Sequence, residues 1–421
     1  MKNDTALLSG PRDALLQAAQ TVLGIVERRH TLPILNHLLI RGDADGVQLT
    51  ASDPECQLST RAALVAEGGP FGITVAAHKL ADILRALPPG ATVRLARTRG
   101  RGSVSVSLHS GRSRFTLQTL PADDFPVVRT AEAAVRLQLP QATLLSLLDR
   151  VAFAMASHDI RYYLNGVLIV AEQAQLTAVA TDGNRLALAQ AALPSADADT
   201  DADADVDADA DADFGKAVSK AVGKAAGKEA DENSTRERLE FILPRKTVLE
   251  LQRLLRGTAG GVLQLALSSA QAVFDLGGIR FVSKLIEGRF PDYRRVVPAA
   301  PPHSVLLNGT LLRAALERAA LLTSDKFRGV RLLLQPGLLQ ISASNAAHEE
   351  ALEEMAVDYA GPTMEIGLNV GYLIDLLASN NGSHDGNNSS VQMALRDAQS
   401  SLLFTRPADP GFSYVVSPMR I

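Results

Sequence analysis

The stretch Phe290-Pro291-Asp292-Tyr293-Arg294-Arg295-Val296-Val297-Pro298 organises the chain around it. Each of its prolines fixes its own φ and lacks a backbone donor, which suits a boundary between structural units. Two similar stretches occur elsewhere, Phe125-Pro126-Val127-Val128 and Gly411-Phe412-Ser413-Tyr414-Val415-Val416-Ser417-Pro418. Three similar endings predict a chain built from three repeats.

Each repeat contains the same order of elements twice. A short strand leads into a helix with apolar residues at i, i+3, i+4 and i+7, and alternating strands follow. The pattern predicts an α+β fold of six strand-helix-strand-strand half-units, with helices over 11–23, 77–87, 140–155, 244–256, 311–322 and 370–378. Paired half-units give three domains, at residues 1–130, 131–299 and 300–421. The alternative is three unrelated α+β domains, and the matched order and endings argue against it.

Composition limits the class of protein. The chain has 421 residues, 46% of them apolar, as expected for a globular protein of two to four domains. No window holds 18 uncharged apolar residues, so we expect neither a signal peptide nor a transmembrane helix, and a cytoplasmic location. The single Cys56 excludes an internal disulfide.

Charge is unevenly distributed along the chain. An Asp/Ala tract followed by regularly spaced lysines occupies about 195–238 and has a net charge of −7, whereas the whole chain has −4. This block has too little apolar content to fold, so we predict a disordered insertion in the second domain. A calcium site is the alternative, but the Gly turn and bidentate Glu of calcium loops are missing.

The helix count predicts how copies could assemble. Six helices, each about 10 Å across, would line a ring with a lumen of about 9 Å, whereas twelve would leave about 28 Å, enough for duplex DNA. The six predicted helices carry a net charge of +4 in a chain of −4. Such helices either bind phosphates non-specifically or are ordinary solvated faces.

No catalytic constellation is present in the sequence. Ser157-His158-Asp159 has the residue types of a triad, but consecutive side chains cannot form its hydrogen-bond chain. His348-Glu349-Glu350 lacks the second His of a metalloprotease helix, and no phosphate-binding Gly-rich loop follows a strand. We therefore expect a binding scaffold with no catalytic residues, no metal site and no cofactor.

Several motifs together resemble the bacterial DNA polymerase III β subunit, the sliding clamp family. The motifs are Thr31 to Leu35, Arg161 to Gly166, Ala180 to Leu186, Phe290 to Pro298, Lys326 to Leu332 and Pro418 to Ile421. The resemblance implies a head-to-tail homodimeric ring with helices lining the hole. It also implies a non-catalytic processivity factor that encircles duplex DNA and tethers the replicative polymerase.

The resemblance also implies two binding sites and their partners. Expected DNA contacts are Arg29, His78, Lys79, His158, Tyr162 and Tyr163, although either tyrosine could instead pack in the core. The expected partner-peptide pocket comprises Arg161, Leu164, Thr181, Gly183, Asn184, Arg185, Leu186, Pro291, Arg295, Val296, Val415, Val416, Ser417, Pro418, Met419 and Arg420. Its implied partners are the DNA polymerase III alpha subunit, the clamp loader complex, and other polymerases and repair proteins with clamp-binding peptides.

The dimer interface follows from charge and from the resemblance. A basic, aromatic edge at Arg112, Arg114 and Phe115 would meet an acidic edge at Glu349, Glu350, Glu353 and Glu354, with Leu321 and Leu322 as apolar support. Opposite charges on the two edges prevent like edges from pairing. A clamp-fold variant that sequesters or regulates clamp partners is the alternative function.

Overall fold

The structure is a computed structural model that describes residues 5–99, 104–172, 175–193, 238–258, 260–324, 328–379 and 390–420. The predicted insertion lies outside the described residues up to residue 237. Arg238 belongs to an ordered strand instead, where it lies opposite Glu172.

The first repeat contains two half-units of one helix each. Its elements are β1 Thr5–Pro11, α1 Arg12–Leu23, β2 His37–Asp43, β3 Gly46–Ser52, β4 Cys56–Ala62, β5 Val65–Ala66, β6 Phe71–Ala76, α2 Ala77–Ala86, β7 Thr92–Arg99, β8 Val104–Ser110 and β9 Ser113–Gln118. In α1 the residues Leu15, Ala18, Ala19 and Val22 are buried, which is the i, i+3, i+4, i+7 pattern of an amphipathic helix.

The second repeat has the same order of elements. It contains β10 Val135–Pro140, α3 Gln141–Val151, β11 Gly166–Glu172, β12 Gln175–Thr181, β13 Arg185–Ala192, β14 Arg238–Pro244, α4 Arg245–Gly257, β15 Val262–Leu267, β16 Gln271–Asp275 and β17 Ile279–Lys284. Helix α3 ends earlier than predicted, because the chain tightens into a 3-10 turn over Ala152–Ala154.

The third repeat completes the pattern. It contains β18 His303–Asn308, α5 Gly309–Ala320, β19 Gly329–Gln335, β20 Leu338–Ser344, β21 Glu350–Ala356, β22 Met364–Asn369, α6 Val370–Ala378, β23 Ser390–Leu395, β24 Leu402–Arg406 and β25 Asp409–Val416. All six predicted helices are present.

Each half-unit has one strand more than the predicted strand-helix-strand-strand order, apart from the two-residue strand β5 in the first half-unit. These additional strands are β4, β9, β13, β17, β21 and β25. In strand β4, Cys56, Leu58 and Ala62 alternate with Gln57, Ser59 and Arg61. The strand signal is nevertheless weak, because the sequence CQLSTRA contains one β-branched residue, Thr60, and no aromatic residue.

The two half-units of a repeat exchange their first strands. Strand β1 pairs with β7 of the other half, and β6 pairs with β2. The same exchange joins β10 to β15 and β14 to β11, then β18 to β23 and β22 to β19. All these pairs are antiparallel, and the sheet of each half-unit is therefore completed by a strand of the other half.

Neighbouring repeats are joined by strand pairing into two eight-stranded sheets. In one, β17 pairs with β4, and the order is β10-β15-β16-β17-β4-β3-β2-β6. In the other, β13 pairs with β25, and the order is β14-β11-β12-β13-β25-β24-β23-β18. The remaining sheets are β5-β1-β7-β8-β9 and β21-β20-β19-β22.

The described residues form two compact units. One contains residues 5–141 and 253–285, and the other contains residues 142–193, 238–252 and 286–420. The core of each unit includes an equivalent aromatic pair on neighbouring strands. Phe274 and Phe281 lie 6.1 Å apart between ring centroids in the first unit, and Phe404 and Tyr414 lie 6.3 Å apart in the second.

No helix in the described part of the chain is both long and apolar enough to cross a membrane.

Candidate functional site: a pocket, a loop and two sheet edges

A cavity of about 230 Å³ lies in the second compact unit. Eleven of the sixteen residues predicted for the partner pocket line it: Arg161, Leu164, Thr181, Gly183, Asn184, Arg185, Leu186, Pro291, Val296, Val415 and Ser417. Phe290 and Tyr293 also line it, although they are not among the predicted pocket residues. Both lie in the stretch Phe290 to Pro298, which marks a domain boundary and carries part of the family resemblance.

The floor of the pocket is apolar. Leu186 on β13 lies directly opposite Val415 on β25, so pairing between two repeats brings these side chains together. Leu164, Phe290 and Tyr293 belong to the same buried cluster. An aliphatic and aromatic floor of this kind accommodates the apolar anchors of a bound peptide.

One wall of the pocket is the tight turn between β12 and β13. Asp182 Oδ1 accepts hydrogen bonds from the backbone N–H groups of Asn184 and Arg185, at 2.9 and 3.1 Å. Gly183 has a φ of +94°, and an added Cβ would lie 2.8 Å from Arg161 Nη2. The backbone conformation therefore favours glycine here, and a larger residue would also displace the end of the Arg161 side chain.

Arg185 is mostly buried in this wall, and its guanidinium is engaged by neighbouring groups. Its guanidinium is ion-paired to Asp182 at 3.0 Å and to Asp375 at 2.6 Å, and it donates to the Phe153 carbonyl at 2.6 Å. The ring of Tyr372 lies 4.4 Å from it. Burial works against its charge, but Tyr414, Asp375 and Asp182 outweigh burial and raise the pKa of Arg185.

Arg161 differs from Arg185 because its side chain is about half exposed at the rim of the pocket. It donates to Asp159 Oδ2 at 2.8 Å and to the Asp182 carbonyl at 3.3 Å. The hydrogen bonds from Arg161 lower the pKa of Asp159 to about 2. Of the two arginines, Arg161 is therefore the one available to a ligand.

Five predicted pocket residues do not line the cavity. Val416 is completely buried, and alternation along β25 points it to the face opposite Val415 and so away from the cavity. Arg295 is 87% exposed and pairs with Asp292 at 3.0 Å. Pro418, Met419 and Arg420 follow β25, and Met419 N–H donates to the Gly367 carbonyl at 2.9 Å.

The predicted DNA contacts occupy two loops and a helix. Arg29 is exposed after α1, and Lys79 is exposed on α2. His78 is only half exposed, and its Nε2 lies 3.2 Å from the Val26 carbonyl oxygen. His158 is exposed with a φ of +60°, in a loop of the other unit. Arg29, Lys79 and His158 are thus the more accessible members of this set.

Tyr162 and Tyr163 are adjacent but have different environments. Tyr162 is 58% exposed, whereas Tyr163 packs against the buried cluster beneath the pocket. The expected core role therefore falls on Tyr163. Asn165 holds this loop in place, because its amide accepts from Asp159 N–H at 2.9 Å and donates to the Asp159 carbonyl at 2.8 Å. Ile160 at the tip is 97% exposed, which the sequence did not indicate.

The predicted interface residues lie on two sheet edges. Strand β9, with Arg114 and Phe115, is the last strand of its sheet, and Arg112 lies in the turn before it. Strand β21, with Glu350, Glu353 and Glu354, is also at an edge, and Glu349 directly precedes it. Leu322, half exposed, follows α5.

Two details at the acidic edge were not predicted. Glu353 is already ion-paired within the chain, since Arg318 Nε donates to it at 2.8 Å, and this hydrogen bond lowers its pKa. Leu352 is 63% exposed on β21, close in sequence to the glutamates, in addition to the predicted Leu321, which is 80% exposed after α5. The edge is therefore more apolar than the run of glutamates indicated.

No group of three or more metal-binding side chains (His, Cys, Asp or Glu) is found among the residues that the structure describes.

Three family models match the chain, and all describe one family. They are the DNA polymerase III beta subunit N-terminal domain at residues 8–129, the central domain at 138–222 and 224–292, and the C-terminal domain at 294–420. The three-repeat fold with its pocket thus defines a clamp-type subunit. The chain belongs to the DNA polymerase III beta subunit family.

Similar proteins support this assignment along the whole chain. The beta sliding clamp of Pseudomonas putida is 38% identical over 410 residues, which is 97% of this chain and 98% of the relative. The beta sliding clamp of Escherichia coli K12 is 38% identical over 414 residues, again 97% and 98%. The family function is that of a sliding clamp, a DNA polymerase processivity factor, and this is the function of the chain.

A solved structure agrees with the fold. The sliding clamp of Pseudomonas aeruginosa bound to griselimycin matches with a TM-score of 0.81 at 36% identity. The match covers 99% of this chain and 100% of the other.

Proposed function

We propose that two copies of this chain close head to tail into a ring that encircles duplex DNA without catalysing a reaction. Three clamp domains, residues 1–130, 131–299 and 300–421, make up each copy. The observation that carries the proposal is which of the six additional strands are paired and which are sheet edges. Four of them are paired between repeats, as β4 with β17 and β13 with β25. The other two, β9 and β21, are sheet edges.

The two internal junctions share one rule. In each, the additional strand of a repeat's first half pairs with the additional strand of the next repeat's second half. The same rule pairs β21 of one copy with β9 of another. Because this contact joins two different surfaces, two copies close it twice by a twofold axis and leave neither edge open.

The internal junctions also predict the register of the contact between copies. Phe281 lies opposite Leu58 in the first junction, and Tyr414 lies opposite Ala187 in the second. Phe115 occupies the position in strand β9 that Phe281 occupies in β17 and Tyr414 in β25, because each is paired with the equivalent residue of the neighbouring strand. By the same comparison, Ala351 is the counterpart of Leu58 and Ala187. Phe115 of one copy should therefore lie opposite Ala351 of the other.

Burial supports this register. Phe281, Leu58, Tyr414 and Ala187 are completely buried. Phe115 and Ala351 have equivalent positions but are only half buried in the single chain. A second copy would complete the burial of both.

Cysteine crosslinking tests the register. The pair Phe115→Cys and Ala351→Cys should give a disulfide-linked dimer on oxidation, because directly opposite residues on paired strands have the Cα spacing of a disulfide. The matched control, Thr116→Cys with Ala351→Cys, places the thiols on opposite faces and should not crosslink. Equal crosslinking of both pairs, or of neither, would reject the register. The native Cys56 is buried and does not interfere.

Charge reversal tests the interface more broadly. Arg112→Glu and Arg114→Glu together would place acidic groups against the acidic edge and should give monomers in sedimentation. An intact dimer would argue against this interface.

DNA binding is assigned to Arg29, His78, Lys79, His158, Tyr162 and Tyr163. The exposure of Arg29, Lys79, His158 and Tyr162 supports this assignment. The expected contacts are to phosphates and therefore sensitive to salt. After incubation with a clamp loader at moderate salt, the protein should be retained on circular DNA and lost from linearised DNA. Equal behaviour on both would favour a clamp-fold variant that only binds clamp partners.

The cavity in the second unit is assigned to short linear peptides of partner proteins. Expected partners are the DNA polymerase III alpha subunit, the clamp loader, and other polymerases and repair proteins. The apolar floor and the exposed Arg161 support this assignment. Leu186→Asp would place a carboxylate on the floor and should abolish peptide binding while the protein stays dimeric. Unchanged binding would place the partner site elsewhere.

A further inference from the structure

A second and larger cavity, of about 380 Å³, lies in the first compact unit. One side of it is formed by the connector between the first and second repeats, and the other by the outer face of the sheet formed by β10, β15, β16 and β17. We call it the connector groove. It shares no residue with the partner pocket.

The strand register builds the floor of the groove. Arg136 lies opposite Ala266, and Ala266 lies opposite Val273, so these side chains share one face of the sheet. The opposite face carries the buried core residues Leu137 and Leu265. The groove thus has a small apolar floor with a cation at one end.

Side chains fix the connector that forms the other wall. The Gln271 amide accepts from Ala131 N–H at 3.1 Å and donates to the Arg129 carbonyl at 3.2 Å. Gln57 accepts from Val128 N–H at 2.8 Å. A wall held by three hydrogen bonds is preformed, which reduces the entropy cost of binding.

The charges in the groove are not equally engaged. Asp275 and Arg280 pair with each other at 3.5 Å. Within the described chain, no carboxylate lies within ion-pair distance of Arg136, and Glu132 on the connector likewise has no cation partner. Beside an apolar floor, the groove therefore offers one cation, Arg136, without an ion-pair partner among the described residues, and one such anion, Glu132, on the facing wall.

We propose that the connector groove is a second docking site, which binds an extended segment of a partner protein. The segment carries an Asp or Glu that pairs with Arg136, and a neighbouring apolar side chain that covers Ala266 and Val273. A carboxylate and an apolar group side by side on an extended peptide match the unpaired Arg136 and the neighbouring apolar floor.

Size agrees with a peptide. Strands β10 and β17 are three strand spacings apart, or about 14 Å. An extended chain covers about 3.4 Å per residue, so about four residues cross the groove.

Peptide selection on the full chain tests this proposal. The target is the dimer with Leu186→Asp, which disables the partner pocket, and the probe is a phage-displayed library of random 12-residue peptides. Counter-selection uses the same protein with Arg136→Glu. We expect enriched sequences with Asp or Glu beside an apolar residue, and synthetic copies that bind at least about fivefold more weakly to the Arg136→Glu protein.

A charge exchange and a matched control complete the test. Replacing the acidic residue of a selected peptide by Lys should restore binding to the Arg136→Glu protein. Gln138→Glu adds a negative charge on the same face of β10 without lining the groove, and it should leave binding unchanged. If Arg136→Glu does not fold, Arg136→Gln replaces it in the same comparison. Lack of enrichment, or equal binding to both proteins, would overturn the proposal without affecting the partner pocket.

Discussion

At the scale of single residues, Gly183 is the most constrained position of the pocket. Gly183→Ala should destabilise the protein by about 1–2 kcal/mol, because alanine is strained at φ +94°, and should weaken peptide binding by displacing Arg161. Urea unfolding and fluorescence polarisation with a partner peptide measure the two effects. Gly257→Ala, at the end of α4 with open space around an added Cβ, is the control and should neither destabilise the protein nor weaken peptide binding.

The exposed pair of Asp159 and Arg161 should be visible in a pH titration. Since the pKa of Asp159 is lowered to about 2, its stabilising contact is fully present above the unfolded pKa near 3.8 and is lost as the pH falls through about 2. In Arg161→Ala the pKa of Asp159 should rise towards 3.8. Carboxyl ¹³C NMR measures it, with Asp159→Asn to assign the signal. An unchanged midpoint would show that Arg161 is not the cause.

At the scale of elements, Arg185 connects strand β13 to helix α6 and to the turn after α3. Arg185→Leu should destabilise the protein by about 2 kcal/mol, because it leaves two carboxylates and a carbonyl without their partner, and Asp375 remains partly solvated. Arg161→Leu removes the same type of side chain from the rim and should cost less than about 1 kcal/mol. Equal losses in urea unfolding would contradict a structural role specific to Arg185.

At the scale of the whole molecule, the insertion should be dispensable for folding. Strand β14 is held by its full pairing with β11, and β13 by β12 and β25. The ends of β13 and β14 are three strand spacings apart, about 14 Å, so a six-residue Gly/Ser linker can replace residues 195–236.

The thermal unfolding midpoint of this shortened protein should stay within about 2 °C of the original. The control is a second variant, in which a Gly/Ser linker of the original length replaces residues 195–236. Comparing the two variants distinguishes an effect of the insertion's sequence from an effect of loop length. A loss of more than about 10 °C in both would show that the insertion contributes to the fold.

Local patterns in the sequence determined the helices, most strands and the three-part repeat. The spacing of Leu15, Ala18, Ala19 and Val22 marks a helix wherever it occurs, because it depends only on neighbours along the chain. The motifs around Leu164, Arg185 and Leu186 indicated the family and most of the pocket, because a motif also depends only on residues that are close together in the chain.

Tertiary structure alone decided which strands meet and therefore which side chains face the pocket. Pairing of β13 with β25 points Val415 into the cavity and Val416 into the core, although the two are adjacent and chemically identical. It also brings Arg185 to Asp375, 190 positions away. Such contacts depend on strand register between distant segments, which no local pattern of residues encodes.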